Sequence, residues 1–232
     1  MHKQTADHKF VWGPPDEPKL LLNHYLDICW SVHMAKFSQL CEALIDTVNR
    51  EQFIAYGLVG RSIVEHAAVM RHYFSEKIQP AVNEAVQRGT VSDDQLFTIV
   101  SQLDHFLKGS RFNWEAFFAG NFDQLLDKNP QTAGQQARVG KCITQWAKET
   151  PQVQILYDLF CDLVHPNIGS TLLVMKKWPE GVGFGGSNGD GQSVGRDVFV
   201  RTLAGLLGMF KDILRHLNVM LLLQIHEPEK DR

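Results

Sequence analysis

The chain has no Cys-x-x-Cys pair, no long apolar run and no excess of either charge, and each absence removes a class of protein. Its four cysteines (Cys29, Cys41, Cys142, Cys161) are scattered through apolar, helix-patterned stretches, where a thiol behaves as a small hydrophobe. A structural zinc site and a secreted disulfide framework are therefore not expected. The longest apolar run, Val219–Leu223, is far too short to span a bilayer, and the polar stretch Met1–Val11 lacks the apolar core of a secretion signal. A cytoplasmic location without membrane partners is the expectation. The formal net charge of −3 over 232 residues gives no global attraction for nucleic acid or acidic membrane, so RNA is a partner that net charge does not support.

What is present is an ordinary globular composition, 44% hydrophobic and 21% charged, enough for a substantial core. Residues 1–18 read as an irregular arm, because Pro14, Pro15 and Pro18 block regular helix. From Lys19 to about Asn49, apolar residues such as Leu22, Leu26, Phe37, Leu40 and Leu44 recur at helical spacing. A second long helix is predicted over 51–88, kinked or broken near Gln79 by Pro80. Ser92-Asp93-Asp94 offers N-caps for a helix over 93–107, and a short helix within 111–128 stops at Gly120. Further helices are predicted over 132–148 and 151–164, the latter with Thr150 as N-cap and Pro151 in its first turn. Thr171–Trp178 is the best strand candidate, followed by a glycine-rich loop and a strongly apolar last helix over 194–225. The fold expected is mainly all-α: a bundle of five to seven helices in one domain, 19–226. An insertion at 167–193 would carry a small β-hairpin or glycine-rich excursion near 171–191.

Four groups of residues carry chemistry worth weighing. Arg61, Glu65 and His72 fall within about 40° of one another on an ideal helix, opposite Ile63, Met70 and Phe74. This polar stripe contains an Arg–Glu pair at i,i+4, which reads either as a solvated face or as the lining of a cleft. Asp158, Asp162 and His165 share the polar face of the helix that also carries Tyr157 and runs into His165-Pro166-Asn167. An aspartate beside a histidine can fix its tautomer for acid–base work, whereas a solvated histidine at a helix C-terminus is favoured by the helix dipole alone. Asp162-x-x-His165 could also seat a metal, but that site class needs a second such motif and further carboxylates, so no metal or cofactor is expected. Gly181-Val-Gly183-Phe-Gly185-Gly186 fits the letters of a dinucleotide fingerprint without the βαβ unit the fingerprint requires, and reads as a loop. Arg61-Ser-Ile-Val-Glu-His66 is an arginine–histidine pair that ten histidines make cheap, and its two members lie about 140° apart on a helix.

The pairing of an early helix bearing Arg61-x3-Glu65 with a late helix bearing Tyr157-x7-His165-Pro166 resembles bacterial helical families related to the HEPN superfamily. Some of these accompany phage-defence or toxin–antitoxin systems. The resemblance implies a helical core, a dimer, and Arg61, Glu65, Tyr157 and His165 grouped between helices. The chain departs from the pattern in having no arginine at the ribonuclease spacing before His165.

The leading functional expectation is a helical-bundle binding or regulatory module. Arg61, Glu65, Tyr157, Asp162 and His165 would line an interhelical cleft, with Asp158, His72 and Asn167 as further binding residues. The alternative is a hydrolase, a HEPN-like ribonuclease or other phosphoesterase. In it His165 is the acid/base, Asp162 orients it, and Arg61 with Glu65 completes the site. A metal-dependent helical-bundle enzyme is the third reading. The last helix is apolar nearly all round at Leu217–Ile225, so it is central to the bundle or pairs with a second copy as a homodimer.

Overall fold

A computed structural model describes residues 17–88, 92–108, 113–125, 137–178, 181–184 and 190–223. Most of the arm over 1–18, the Asn129-Pro130 break and the loop residues 185–189 lie outside them. The described chain is mainly α-helical, as its periodicity predicts. The first helix, α1 (Pro18–Asn49), ends in a Schellman motif. Gln52 N–H bonds the Thr47 carbonyl at 2.8 Å and Glu51 N–H that of Val48 at 3.0 Å, with Glu51 at φ 54°. Glu51 is thus the helix stop, not the start of the next helix, and α2 (Phe53–Tyr73) begins two residues later.

The predicted kink at Pro80 takes the form of a π-turn. Phe74–Ile78 joins α2 to α3 (Gln79–Arg88) without a break, and Gln79 N–H bonds the Phe74 carbonyl five residues back. Proline has no N–H to give and its ring would press on the carbonyl four residues before it, Glu76; widening the preceding turn opens the ladder there. α4 (Asp93–Lys108) starts at a capping box, in which Gln95 N–H bonds Ser92 Oγ at 3.3 Å and Ser92 N–H bonds Gln95 Oε1 at 3.1 Å. α5 (Trp114–Phe118) stops at Gly120, whose φ of 76° suits a residue without Cβ.

Of the helix expected over 132–148, residues up to 136 lie outside the described ones, 137 and 138 are not helical, and α6 spans Val139–Ala147. α7 (Gln152–Val164) is capped by Pro151 with no side-chain bond; Thr150 contributes only its carbonyl, which accepts from Val153 N–H at 3.0 Å. The first two residues of the predicted strand are helical and the next two form a turn. Asn167 caps α8 (Ile168–Leu172) in a reciprocal box with Ser170, which draws Thr171 and Leu172 into the helix. β1 (Met175–Trp178) then pairs antiparallel with β2 (Gly181–Phe184), Met175 opposite Phe184. The last helix, α9 (Asp190–Leu222), begins four residues before the predicted start.

The chain divides into two compact units. Met1–His33, Met70–Arg138 and His216–Arg232 make one, and Met34–Val69 with Val139–Arg215 the other. The first unit buries Leu26 and Cys29 of α1, Met70 and Phe74, Leu96 and Leu103 of α4, and Met220 of α9. Polar atoms thread this core. His33, itself buried, donates to the Cys29 carbonyl at 2.8 Å and stacks on Phe106 with ring centres 4.3 Å apart. His216 meets Ser75 Oγ at 3.1 Å and packs near Phe74. Tyr25 donates to Asp104 at 2.7 Å.

The second unit buries Phe37 of α1, Tyr56 and Ile63 of α2, Ile143 and Trp146 of α6, Phe160 of α7, and Leu206 and Ile213 of α9. Its closest fits are glycine on ring. A Cβ at Gly60 would lie 2.6 Å from the Phe160 ring, and one at Gly195 would overlap that of Phe53. Tyr56 sits edge-on to Phe160 and Phe199 and donates to Thr202, which passes its own proton to the Val198 carbonyl at 2.8 Å.

Candidate functional site

The second unit brings together three of the residues singled out from the sequence. Arg61 and Glu65 are one helical turn apart on α2, and Arg61 Nε donates to Glu65 Oε1 at 2.8 Å. Both side chains are about one-third to one-quarter exposed, 31% and 26%. The Arg61 guanidinium lies 5.7 Å from the centre of the Tyr157 ring on α7, within the reach of a cation–π contact. Gly57 and Gly60 permit this approach of α2 to α7: Gly57 stands against Leu163 and Gly60 against Phe160. The turn that carries Arg61 is therefore held against the turn that carries Tyr157 by core packing.

The electrostatics follow from that geometry. The hydrogen bond to Glu65 raises the Arg61 guanidinium above its ordinary value, so the cation is permanent. Burial raises the Tyr157 phenol, its bond to the Cys161 side chain adds to this, and the Arg61 charge opposes both. A neutral phenol facing a fixed cation orients and binds; it does not supply a proton acceptor near neutral pH. Cys161, which joins this cluster, escaped the sequence reading because a cysteine one turn beyond a tyrosine on an apolar helix has no distinguishing pattern.

The other candidate residues are placed differently. His165 is the C-cap of α7 and is exposed; among the described residues its imidazole has no hydrogen-bond partner. Asp162, expected to orient it, instead accepts from the Asn167 side chain. Asn167 is engaged as the cap of α8, its Oδ1 taking the N–H groups of Gly169 and Ser170. Asp158 is exposed and accepts from Gln154 at 2.8 Å. His72 belongs to the first unit and pairs with Glu76 at 2.8 Å. His66 donates to the Ser62 carbonyl at 2.7 Å and stands edge-on to Phe37, so the Arg61–His66 string is not a converging pair. Among the described residues no group of three or more His, Cys, Asp or Glu side chains could hold a metal ion, and no helix is long and apolar enough to cross a membrane.

The same unit holds a concave feature that the sequence reading missed. A cavity of about 560 Å³ is lined by Trp146 of α6, Leu156 and Leu159 of α7, and Arg201, Ala204, Gly205, Gly208 and Asp212 of α9, among others. The signal for it was two glycines in the interior of a predicted helix, where glycine has a packing reason or none. Comparison of the chain with known protein families, with curated proteins and with solved structures finds no match.

Proposed function

We propose that the protein is a helical-bundle binding or regulatory module that holds an anionic group at the Arg61–Glu65–Tyr157 cluster. One observation carries the reading. Arg61 is fixed through Nε by Glu65 and lies near the Tyr157 ring, which leaves the Nη edge of its guanidinium as the donor edge. That edge is the one that grips carboxylate or phosphate in bidentate fashion. Among the described residues Glu65 is the only carboxylate paired with Arg61. The resemblance to HEPN-like bundles supports the grouping of Arg61, Glu65 and Tyr157, and with it a regulatory role in bacterial defence or toxin–antitoxin systems, RNA as one source of the anionic group, and a homodimer. The hydrolase alternative lacks equivalent support, because Asp162 is committed to Asn167 instead of His165.

Thermal-shift and calorimetric titrations with inorganic phosphate, pyrophosphate, a dicarboxylate and a short single-stranded RNA test the reading. At least one is expected to raise the melting temperature; Arg61→Gln abolishes the shift and His165→Ala preserves it. No shift with any of the four removes the proposal. Phosphoester turnover that disappears in His165→Ala replaces it with the hydrolase.

A further inference from the structure

The cavity beside α7 and α9 exists because the two helices meet over very small side chains. A Cβ at Gly205 would lie 3.2 Å from the Leu156 side chain, so the helices are close there. One turn further along α9, a Cβ at Gly208 would meet nothing within 4 Å. Ala204, Gly205 and Gly208 thus make a wall almost without side chains, and Leu156 and Leu159 of α7 supply an aliphatic one. The space left, about 560 Å³, falls within the range of about 300–1,000 Å³ of small-molecule sites.

The buried part of the lining is apolar or already satisfied. Trp146, Val153 and Met209 are buried in it. Thr202, buried as well, shares a hydrogen bond with Tyr56 and donates to the Val198 carbonyl. These four residues ask a ligand only for apolar contact. Charge is confined to two lining residues, Arg201 and Asp212. Eleven positions of helix separate them, about 16 Å at a rise of about 1.5 Å per residue, so they stand far apart along α9. The Asp212 carboxylate is engaged within the chain, with Arg215 3.9 Å away. Arg201 is exposed, and among the described residues its guanidinium has neither an ion pair nor a hydrogen bond.

An apolar space with one uncommitted cation has a definite complement: an amphipathic molecule with a single negative head. A guanidinium takes a carboxylate in bidentate fashion. A phosphate monoester, with close to two charges, would want a second cation, and the lining supplies none. At about 30 Å³ for each water-sized group, the volume holds an alkyl chain of up to about sixteen carbons with its head. We propose that this cavity binds a fatty-acid-like carboxylate, its chain lying along Ala204, Gly205 and Gly208 and its head paired with Arg201. The site is separate from the anion reading at Arg61, and either can fail without the other.

Isothermal titration calorimetry on the full chain tests it, with hexanoate, octanoate, decanoate and dodecanoate each below its micelle-forming concentration. Affinity is expected to rise about two- to fourfold with each added methylene. Decyltrimethylammonium, the same chain length with the opposite charge, is expected to bind at least about tenfold more weakly than decanoate. Arg201→Gln should weaken decanoate about tenfold and leave decanol unchanged. Gly208→Leu places a side chain in open space and favours helix, so it should keep the melting temperature and abolish binding of both. Arg61→Gln should leave decanoate affinity as it is. Absence of saturable binding by all four carboxylates overturns the proposal, and so does a cationic chain that binds as well as decanoate. Indifference to a folded Gly208→Leu, or loss of decanoate binding in Arg61→Gln, places the ligand elsewhere and overturns it too. The chain-length and head-group arms need no variant, so they decide the matter even where Gly208→Leu does not fold.

Discussion

In the unit around Tyr56, aromatic rings close on glycines; in the unit around His33, they close on imidazoles. Phe160 lies flat against Gly60, with no room for even one added carbon, whereas Phe106 stacks on His33 and Phe74 packs near His216, each histidine tied by a hydrogen bond as well. The first arrangement depends on shape and tolerates no added volume. The second depends on buried polar atoms keeping their partners, so it tolerates small changes of volume better than the loss of one donor or acceptor. The two units should therefore respond to different substitutions.

The largest effect is expected from Gly60→Ala. The new methyl would stand 2.6 Å from Cζ of Phe160, whose fully buried ring has nowhere to turn, and about 2–3 kcal/mol should be lost in urea denaturation. Phe160→Leu in the same chain should recover part of that loss, and a double mutant that merely adds the two costs would show that the ring is not the obstacle. Next comes His216→Leu. It leaves the Ser75 hydroxyl without its partner and should cost about 1–2 kcal/mol, while Ser75→Ala with His216→Leu should cost less than the two single changes together. Additivity there would mean that the histidine core is also held by shape, and the contrast between units would collapse.

The smallest effect concerns a polar thread in the shape-packed unit. Tyr56→Phe removes the donor to Thr202, whose hydroxyl keeps its bond to Val198, so about 1 kcal/mol is expected. Burial raises the Tyr56 phenol above its ordinary value of 10.0, with the Thr202 bond opposing. A group whose folded value is raised gives stability that is complete below its unfolded value and lost as pH climbs through the folded one. Wild-type stability should therefore fall on the alkaline side of pH 10, and Tyr56→Phe should flatten that fall. Equal alkaline slopes in denaturant titrations would show that the phenol does not report on this core.

Helices were legible in the sequence because periodicity is a property of neighbours three and four apart, and long amphipathic stretches repeat it many times. Their ends were less so. Glu51 reads as a good helix former, yet the Schellman bonds of Thr47 and Val48 hold it in the left-handed region where glycine is usual. Thr171 and Leu172 have strand propensity, but Asn167 with Ser170 builds a cap that outweighs it over five residues. In the candidate site the Arg61–Glu65 pair follows from i,i+4 spacing, while Tyr157 joins it only through the fit of glycine to ring between α2 and α7. The position of His165 was out of reach of periodicity, because the turn after Val164 decides where that imidazole goes and Asn167 takes the aspartate meant for it.

The π-turn at Phe74–Ile78 amounts to a phase shift of one residue in an otherwise continuous rod of some thirty-six residues. Deleting a single amino acid inside it would return the rod to regular winding and leave α3 facing nearly as it does now, because the wide turn fits one extra residue into about the same rotation. Ile78, buried at 1% exposure, would keep its side of the helix, but the Pro80 ring would again face the carbonyl it now avoids. The extra residue is thus tied to the proline two positions beyond it: its loss should be felt through Pro80 more than through any change of facing downstream.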